Sequence, residues 1–459
     1  MERIQFLNNI AQRLPKNFFY DFYFEVFSGH TAHFEDGRLE EISSSRSRGI
    51  GTRLMKNDTS VFSYAPSTSL ASALSCLGES AGNSGLDTSE FFTGNYDNSE
   101  ILCTPGSLQY PDYSYIYKID QLIRNSSPMV KQVSIRQDTS RKDILILDDN
   151  GQTIKDTRFY STFTIQVIVQ KEKTIQTAHE SLAFSLPMDD FFRKTDPETA
   201  AKRALERALL MIEAPECPAG EMPVILSGEA GGTMIHEACG HGLEADIIQK
   251  DFSVYRNSIG KKVASENVTL IDDGTIPTFY GTLKVDDEGT VSQRTVLIEK
   301  GILKNYLTDR ITSRQGNLPL SGNGRRSSYR SVPIPRMTNT YVAPGNSSQT
   351  EMISNTEKGL LVKKMGGGEV NPTSGDFVFQ VTEGYLIENG QIRYPVRGAL
   401  LTGNGPKVLE DIQSVGNDLS FMPGVCGKSG QNIPVTDGQP SLYIKNLIVG
   451  GKETEYEVL

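Results

Sequence analysis

Two of the chain's five histidines stand five residues apart, with a glutamate beside the first, in Thr233-Met234-Ile235-His236-Glu237-Ala238-Cys239-Gly240-His241-Gly242-Leu243-Glu244-Ala245-Asp246. No other stretch constrains the chain as much. Neutral imidazoles hold a metal ion and a neighbouring carboxylate can move protons, so this is the donor set of a hydrolytic zinc site. The pattern is H-E-x-x-x-H. In the shorter H-E-x-x-H the histidines fall at i and i+4 and share one helical face. At i and i+5 a regular α-helix holds them roughly 140° apart, at about 100° per residue. Two geometries restore convergence: the helix widens into a π-turn, or it ends at Gly240 and bends, and glycine tolerates the dihedrals of either. Upstream, residues 222–227 read as a short strand and 228–232 as a turn into the helix. A plainer reading stands beside this one, in which His236, Glu237 and His241 cap and solvate a surface helix.

Two histidines are one ligand short of a catalytic zinc site, which takes three from the protein. Cys426 is a candidate for the third. It lies in Gly424-Val425-Cys426-Gly427-Lys428-Ser429-Gly430-Gln431, read as a glycine-flanked loop whose backbone can approach a ligand closely. The alternative is a half-buried loop thiol. Cys239 competes as a ligand but is only three residues from His236, and three ligands on one short segment would strain one another, so it reads as packing. Residues 321–330, Ser-Gly-Asn-Gly-Arg-Arg-Ser-Ser-Tyr-Arg, form a basic loop that either holds a substrate carboxylate or carbonyl, Arg being suited to planar oxygen pairs, or is simply solvated. Asp272-Asp273-Gly274-Thr275 and Asp286-Asp287-Glu288-Gly289-Thr290 lack the alternation of an EF-hand loop and read as acidic β-turns.

At 459 residues the chain has room for two or three domains. Its net charge of −10, with no Lys/Arg run to track a phosphate backbone, argues against nucleic-acid binding. Five cysteines, scattered and odd in number, fit free thiols in a reducing compartment. The first residues read as an amphipathic helix rather than a signal peptide, and no apolar run approaches the roughly 20 residues of a membrane span. The expectation is a soluble cytoplasmic protein with no membrane association.

Residues 18–27 alternate aromatic and polar groups as a strand, 33–39 form a hairpin turning on Asp36-Gly37, and 50–64 are further strand. Helices are expected over 67–81 and from a tyrosine-rich segment at 110–117 to about Arg124, then strands from Ser134. Residues 143–147 and 159–169 flank an Asp-Asn-Gly turn. Asp196-Pro197-Glu198 starts a helix running to about Ala214, with an N-cap acid, an early proline and an acid favoured by the dipole. Three prolines and a glycine in 215–223 mark a domain boundary. This gives an α+β fold: an N-terminal α+β domain over 1–215, then a mainly β C-terminal domain over 222–459 with large antiparallel or mixed sheets and the zinc-type helix at its start. Residues 296–303 and 385–392 are hairpins of nearly the same wording, with 34–39 a weaker echo; either a duplication or a common turn solution explains them.

The blocks His-Glu-Ala-Cys-Gly-His-Gly-Leu-Glu-Ala-Asp from His236, Lys262-Val263-Ala264-Ser265-Glu266, Val285-Asp286-Asp287-Glu288-Gly289-Thr290, Gly322-Asn323-Gly324-Arg325-Arg326, Arg336-Met337-Thr338-Asn339-Thr340-Tyr341, Tyr385-Leu386-Ile387-Glu388-Asn389-Gly390 and Val425-Cys426-Gly427-Lys428 together resemble the TldD/PmbA family of metallopeptidases, in its metal-bearing TldD branch. They appear in the family's order from about residue 222 onward; the N-terminal half offers no sharp motif. The resemblance implies a zinc-dependent peptidase acting on unfolded or flexible polypeptide. It implies His236, His241 and Cys426 as zinc ligands and Glu237 as general base. It further implies a dimer, either a homodimer or a heterodimer with a metal-free PmbA/TldE-like paralogue. The rival reading is a non-catalytic partner or scaffold that modulates another protein, which would not need these four residues together. Thiol redox chemistry would want a C-x-x-C pair, and none occurs.

Overall fold

The computed structural model describes residues 2–56, 59–86, 98–102, 108, 113–371 and 373–451. Cys103 and residues 110–112 of the tyrosine-rich segment at 110–117 lie outside them.

The N-terminal half is built on one antiparallel sheet of six strands: β1 (Phe18–Glu35), β2 (Arg38–Lys56), β3 (Thr59–Ala65), β4 (Val130–Asp148), β5 (Thr153–Lys171) and β6 (Thr174–Phe184), in the order β3-β2-β1-β4-β5-β6. The strands are longer than the sequence suggested, and residues 50–64 prove to be two strands, with Lys56 opposite Thr59. Strand β6 carries no strong periodic signal and was not expected. Among the described residues five helices accompany the sheet: α1 (Glu2–Ala11), α2 (Leu70–Asn83), α3 (Ser114–Ser126), α4 (Met188–Lys194) and α5 (Pro197–Glu213). The α5 start follows the sequence: the Asp196 side chain accepts from the Glu198 N–H, with Pro197 in the first turn.

Side chains alternate across a strand, and here the two faces meet different partners. Phe22, Phe24, Leu145 and Leu147 pack under α1 and α2. Phe163, Ile165 and Val167 pack under α3 and α5, where Ala201, Ala204 and Ala208 give the helix a narrow face that lets it approach closely. The opposite face carries Asp21, Tyr23, Glu25, Arg53, Ile144, Ile146 and Arg158, and it is buried too, against the C-terminal half.

That half begins with β7 (Gly220–Leu226) and is mainly strand. A six-stranded mixed sheet holds β8 (Leu270–Asp273), β9 (Arg294–Glu299), β10 (Ile302–Leu303), β13 (Asn339–Val342), β19 (Ser420–Lys428) and β20 (Gln431–Gln439), ordered β10-β9-β8-β13-β20-β19. Two short strands, β11 (Gly324–Arg325) and β12 (Ile334–Pro335), pair with each other. The remaining sheet comprises β7, β14 (Lys358–Val370), β15 (Asp376–Glu388), β16 (Gln391–Val396), β17 (Leu400–Asn404), β18 (Ile412–Val415) and β21 (Leu442–Gly450). Because β14 pairs with both β7 and β15, this sheet closes on itself through β21 and β17. Phe377, Phe379 and Val381 alternate along β15 into the core. The similar hairpins all use one turn: Asp36-Gly37, Lys300-Gly301 and Asn389-Gly390 have positive φ at both residues, as does Ser429-Gly430, the geometry that matches the twist of paired strands.

The halves are joined by buried ions. Arg53 donates through Nε to Asp21 at 2.8 Å and also pairs with Glu288. Arg326 reaches Asp21 at 3.3 Å and lies 4.3 Å over the Tyr23 ring. Arg158 joins Asp156 at 2.8 Å to Asp287 at 2.7 Å. The acidic turn at Asp286 is thus a turn as expected, closed by Asp286 N–H to Thr290 carbonyl at 2.8 Å, but it is a buried one. The basic loop at 321–330 is largely corrected: Arg325 and Arg326 are buried and bonded to protein groups, so they are neither solvated nor free for substrate. Asp272 lies within strand β8 and accepts from Thr338, Thr340 and Asn323.

Candidate metal centre

The strand-turn-helix entry at 222–235 forms as read, with a 3-10 turn at Gly228–Ala230 and a first helical turn at Thr233–Ile235. At His236–Gly240 the helix widens into a π-turn, with the His241 N–H donating to the His236 carbonyl five residues back. This is one of the two geometries that bring positions five apart onto one face. Gly240 is needed at the bulge for room: a Cβ there would lie 2.1 Å from the Met337 sulfur. The histidine rings consequently stand 5.0 Å apart, nearly perpendicular.

Cys426 comes to them from the other end of the chain. Its surroundings are not a loop: it sits in β19, opposite Ile433 of β20, three residues before Ser429 of the Ser429-Gly430 turn. The glycines of residues 424–431 read as flanking a loop, whereas positive φ at Ser429 and Gly430 makes Lys-Ser-Gly-Gln a tight hairpin turn. The Cys426 Sγ lies 3.1 Å from His236 Nε2 and 3.3 Å from His241 Nε2. One ligand atom from each residue falls within 4.8 Å of the others. Zinc ligands at about 2.0 and 2.3 Å meeting at a tetrahedral angle lie roughly 3.5 Å apart, so the three donors are spaced to share an ion. Glu237, half-buried, places Oε2 3.9 Å from His241 Nε2, at the edge of this group. Cys239 points elsewhere, into the apolar core.

Both imidazoles are oriented from behind. Asp437 Oδ1 is 2.7 Å from His236 Nδ1, and Glu244 Oε2 is 2.9 Å from His241 Nδ1. With Nδ1 donating to a carboxylate, the Nε2 lone pair is left facing inward, the arrangement that fixes metal-binding histidines. Lys428 donates to Glu244 at 2.9 Å and to Asp246 at 2.6 Å. These partners were missed from the sequence. Asp437 was within reach: a hairpin turning on Ser429-Gly430 pairs Met422 with Asp437, on the face that carries Cys426.

The electrostatics favour the charged form of each group in the cluster. Burial pushes the Cys426 thiol up, but hydrogen bonds from the two imidazoles prevail and bring it down to about 5. Burial opposes charge on His241, and Glu244 overrides it, raising the ring to about 9. His236 is raised in the same way by Asp437 against its burial. Glu244 falls to about 2 despite burial, held down by His241 and Lys428. The carboxylates behind the rings thus favour protons on the imidazoles, and a metal held at Nε2 would have to displace them.

Among the described residues the four cysteines are free thiols, and no helix is long and apolar enough to cross a membrane. Comparison with known proteins accounts for most of the chain. The PmbA/TldA metallopeptidase C-terminal domain matches residues 219–451, domain 1 matches 20–83 and the central domain matches 111–212. A metalloprotease TldD homolog of Buchnera aphidicola subsp. Schizaphis graminum is 37% identical over 94% of this chain and 92% of its own. A zinc metalloprotease TldD homolog of Saccharolobus solfataricus is 31% identical over 73% of this chain and 75% of its own. The crystal structure of TldE from Thermococcus kodakarensis has the same fold, with a TM-score of 0.76 at 17% identity over 98% of this chain and 100% of its own.

Proposed function

The chain belongs to the PmbA/TldD family of metallopeptidases, and from that premise we propose that it is a zinc-dependent peptidase hydrolysing peptide bonds in unfolded or flexible polypeptides. The observation that carries the reading is the convergence of His236 Nε2, His241 Nε2 and Cys426 Sγ beside the Glu237 carboxylate. In this reading those three residues would hold the ion, and Asp437 and Glu244 fix the rings. A zinc ion held there supplies Lewis acidity toward the scissile carbonyl and lowers the pKa of water. Glu237 takes the proton of the attacking water and passes it to the leaving amine. Its partial exposure suits a base that must meet water and substrate, where a fully buried ligand could not.

Strand β19, which carries Cys426, is the outer strand of its sheet among the described residues. An extended chain adding to that edge would be bound through its backbone with little sequence preference. The active form in this reading is a dimer, homomeric or with a TldE-like paralogue; the shared fold with a TldE protein supports this. The free thiols support a cytoplasmic setting. The catalytic residues all belong to the 222–459 domain, with 1–215 as the other.

The test is elemental analysis paired with cleavage of an unfolded protein. Wild type should hold zinc and cleave, and Glu237→Ala should hold zinc without cleaving. Joint loss of zinc and cleavage in Glu237→Ala would make Glu237 a ligand, and retained cleavage would remove it from the mechanism.

A further inference from the structure

We propose that Arg336 is a positioning residue for Cys426, clamping the β19–β20 hairpin in the one register that aims the thiol at the two histidines; this rests on reading those three residues as the metal ligands. Arg336 is completely buried. Its Nη2 donates to the carbonyl of Cys426 at 2.7 Å and its Nη1 to the carbonyl of Gln431 at 3.1 Å. One guanidinium thereby grips both arms of the hairpin, either side of its turn.

Among the described residues no carboxylate pairs with it, in contrast to Arg53, Arg158 and Arg326. A buried cation satisfied only by carbonyls is expensive to keep, so its place beside the thiolate-bearing strand calls for a reason. Positioning supplies one. β19 is an edge strand, held by backbone pairing on one side only, and a one-residue slip would turn Cys426 to the opposite face. The planar fork holds its two donors in a fixed relative direction, whereas an ammonium's donors rotate on a flexible stem.

Neighbouring contacts point the same way. Lys428 Nζ reaches the Pro335 carbonyl at 3.1 Å, Gln431 Nε2 the Val332 carbonyl at 2.9 Å, and Arg325 Nη2 the Pro434 carbonyl at 2.8 Å. The basic stretch at 325–336 is thus a saddle under the hairpin.

The experiment uses full-length metal-free protein titrated with cobalt, whose sulfur-to-metal charge-transfer band reports thiolate coordination, with amide hydrogen exchange of β19 and β20 measured before metal is added. Arg336→Lys should weaken cobalt binding by about 10–100-fold, diminish the band and speed exchange in the hairpin. In a Cys426→Ala background the same substitution should change affinity little, since the residue acts through Cys426. Equal losses in both backgrounds, or unchanged affinity and band in Arg336→Lys, would overturn the proposal. So would collapse of the whole fold, read by circular dichroism, in both Arg336→Lys and Arg336→Met. Failure of the wild type to take up cobalt would instead refute the ligand assignment, while hydrogen exchange would still report on the clamp.

Discussion

The protein contains two buried clusters of charged side chains, and they are built on opposite plans. At the junction between the halves, Asp21, Arg53, Glu288, Arg326, Asp287 and Arg158 interleave, so that each cation lies against anions. At the candidate metal centre the cation Lys428 and the carboxylates Asp437 and Glu244 stand outside, and the lone pairs of His236, His241 and Cys426 point at one another. A cluster whose acceptors are already engaged by guanidinium groups is mortar. A cluster whose acceptors converge needs something electrophilic between them. Burial and charge alone do not separate the two; the direction of the donors does.

The sharpest way to break the comparison is to remove a converging donor. Cys426→Ala should reduce zinc affinity by more than the roughly 10–100-fold that an outer partner is worth, with cleavage lost alongside, while the thermal unfolding of the metal-free protein barely changes. Metal titration against calorimetric unfolding checks this. The converse change, Arg53→Met, takes away the cation that Asp21 and Glu288 share and should cost about 3–5 kcal/mol of stability, as breaking a buried pair does, leaving zinc affinity of the folded fraction intact. Denaturant titration and metal binding on one preparation would tell. If Arg53→Met also released zinc, the two clusters would be one coupled system.

A smaller effect is expected for Asp437→Asn, which keeps a hydrogen-bonding side chain behind His236 but removes its charge. Zinc affinity should fall about 10–100-fold, and calorimetric titration measures it directly.

The subtlest distinction is in pH, where the clusters should respond with opposite sign. The raised His236 and His241, the latter to about 9, must lose protons to bind metal. Affinity should therefore rise with pH up to about 9, by roughly tenfold per unit for each proton displaced. At the junction, burial and the neighbouring Glu288 raise Asp286 to about 8 and Asp309 to about 6. A carboxyl whose folded pKa is raised binds more protons folded than unfolded between its ordinary value and the raised one, so stability falls as pH climbs through that window. Unfolding of the metal-free wild type from pH 4 to 8 should show that decline, and Asp286→Asn should remove part of it.

Much of the site was legible in the chain because local chemistry wrote it. Two histidines at i and i+5 with a glycine between demanded a π-turn or a bend, and a π-turn formed. The Asp196-Pro197 start of α5 and the paired left-handed turns at Asp36-Gly37, Lys300-Gly301 and Asn389-Gly390 are likewise properties of a few adjacent residues. Helix caps and turns are decided within one turn of chain, so sequence suffices for them. Cys426, by contrast, is 185 residues from His241, and its pairing with the histidines came from family resemblance rather than from spacing.

What only the tertiary structure decided is where the polar residues went. Alternation along β1 separates Phe22 and Phe24 from Asp21, Tyr23 and Glu25, but the pattern cannot say whether the second face meets water or another domain. Here it meets Arg326 and the Asp286 turn, and all of it is buried. Arg336 reads as one more surface arginine until the Cys426 and Gln431 carbonyls are seen around it. The sequence determined the donors, the π-turn that aligns two of them, and the glutamate beside them. Glu244 orients His241 from three residues away, but the orientation of His236 by Asp437 and of Cys426 by Arg336 depends on contacts between segments 201 and 90 residues apart. Such contacts follow from the summed burial of whole sheets, which no short stretch of residues encodes.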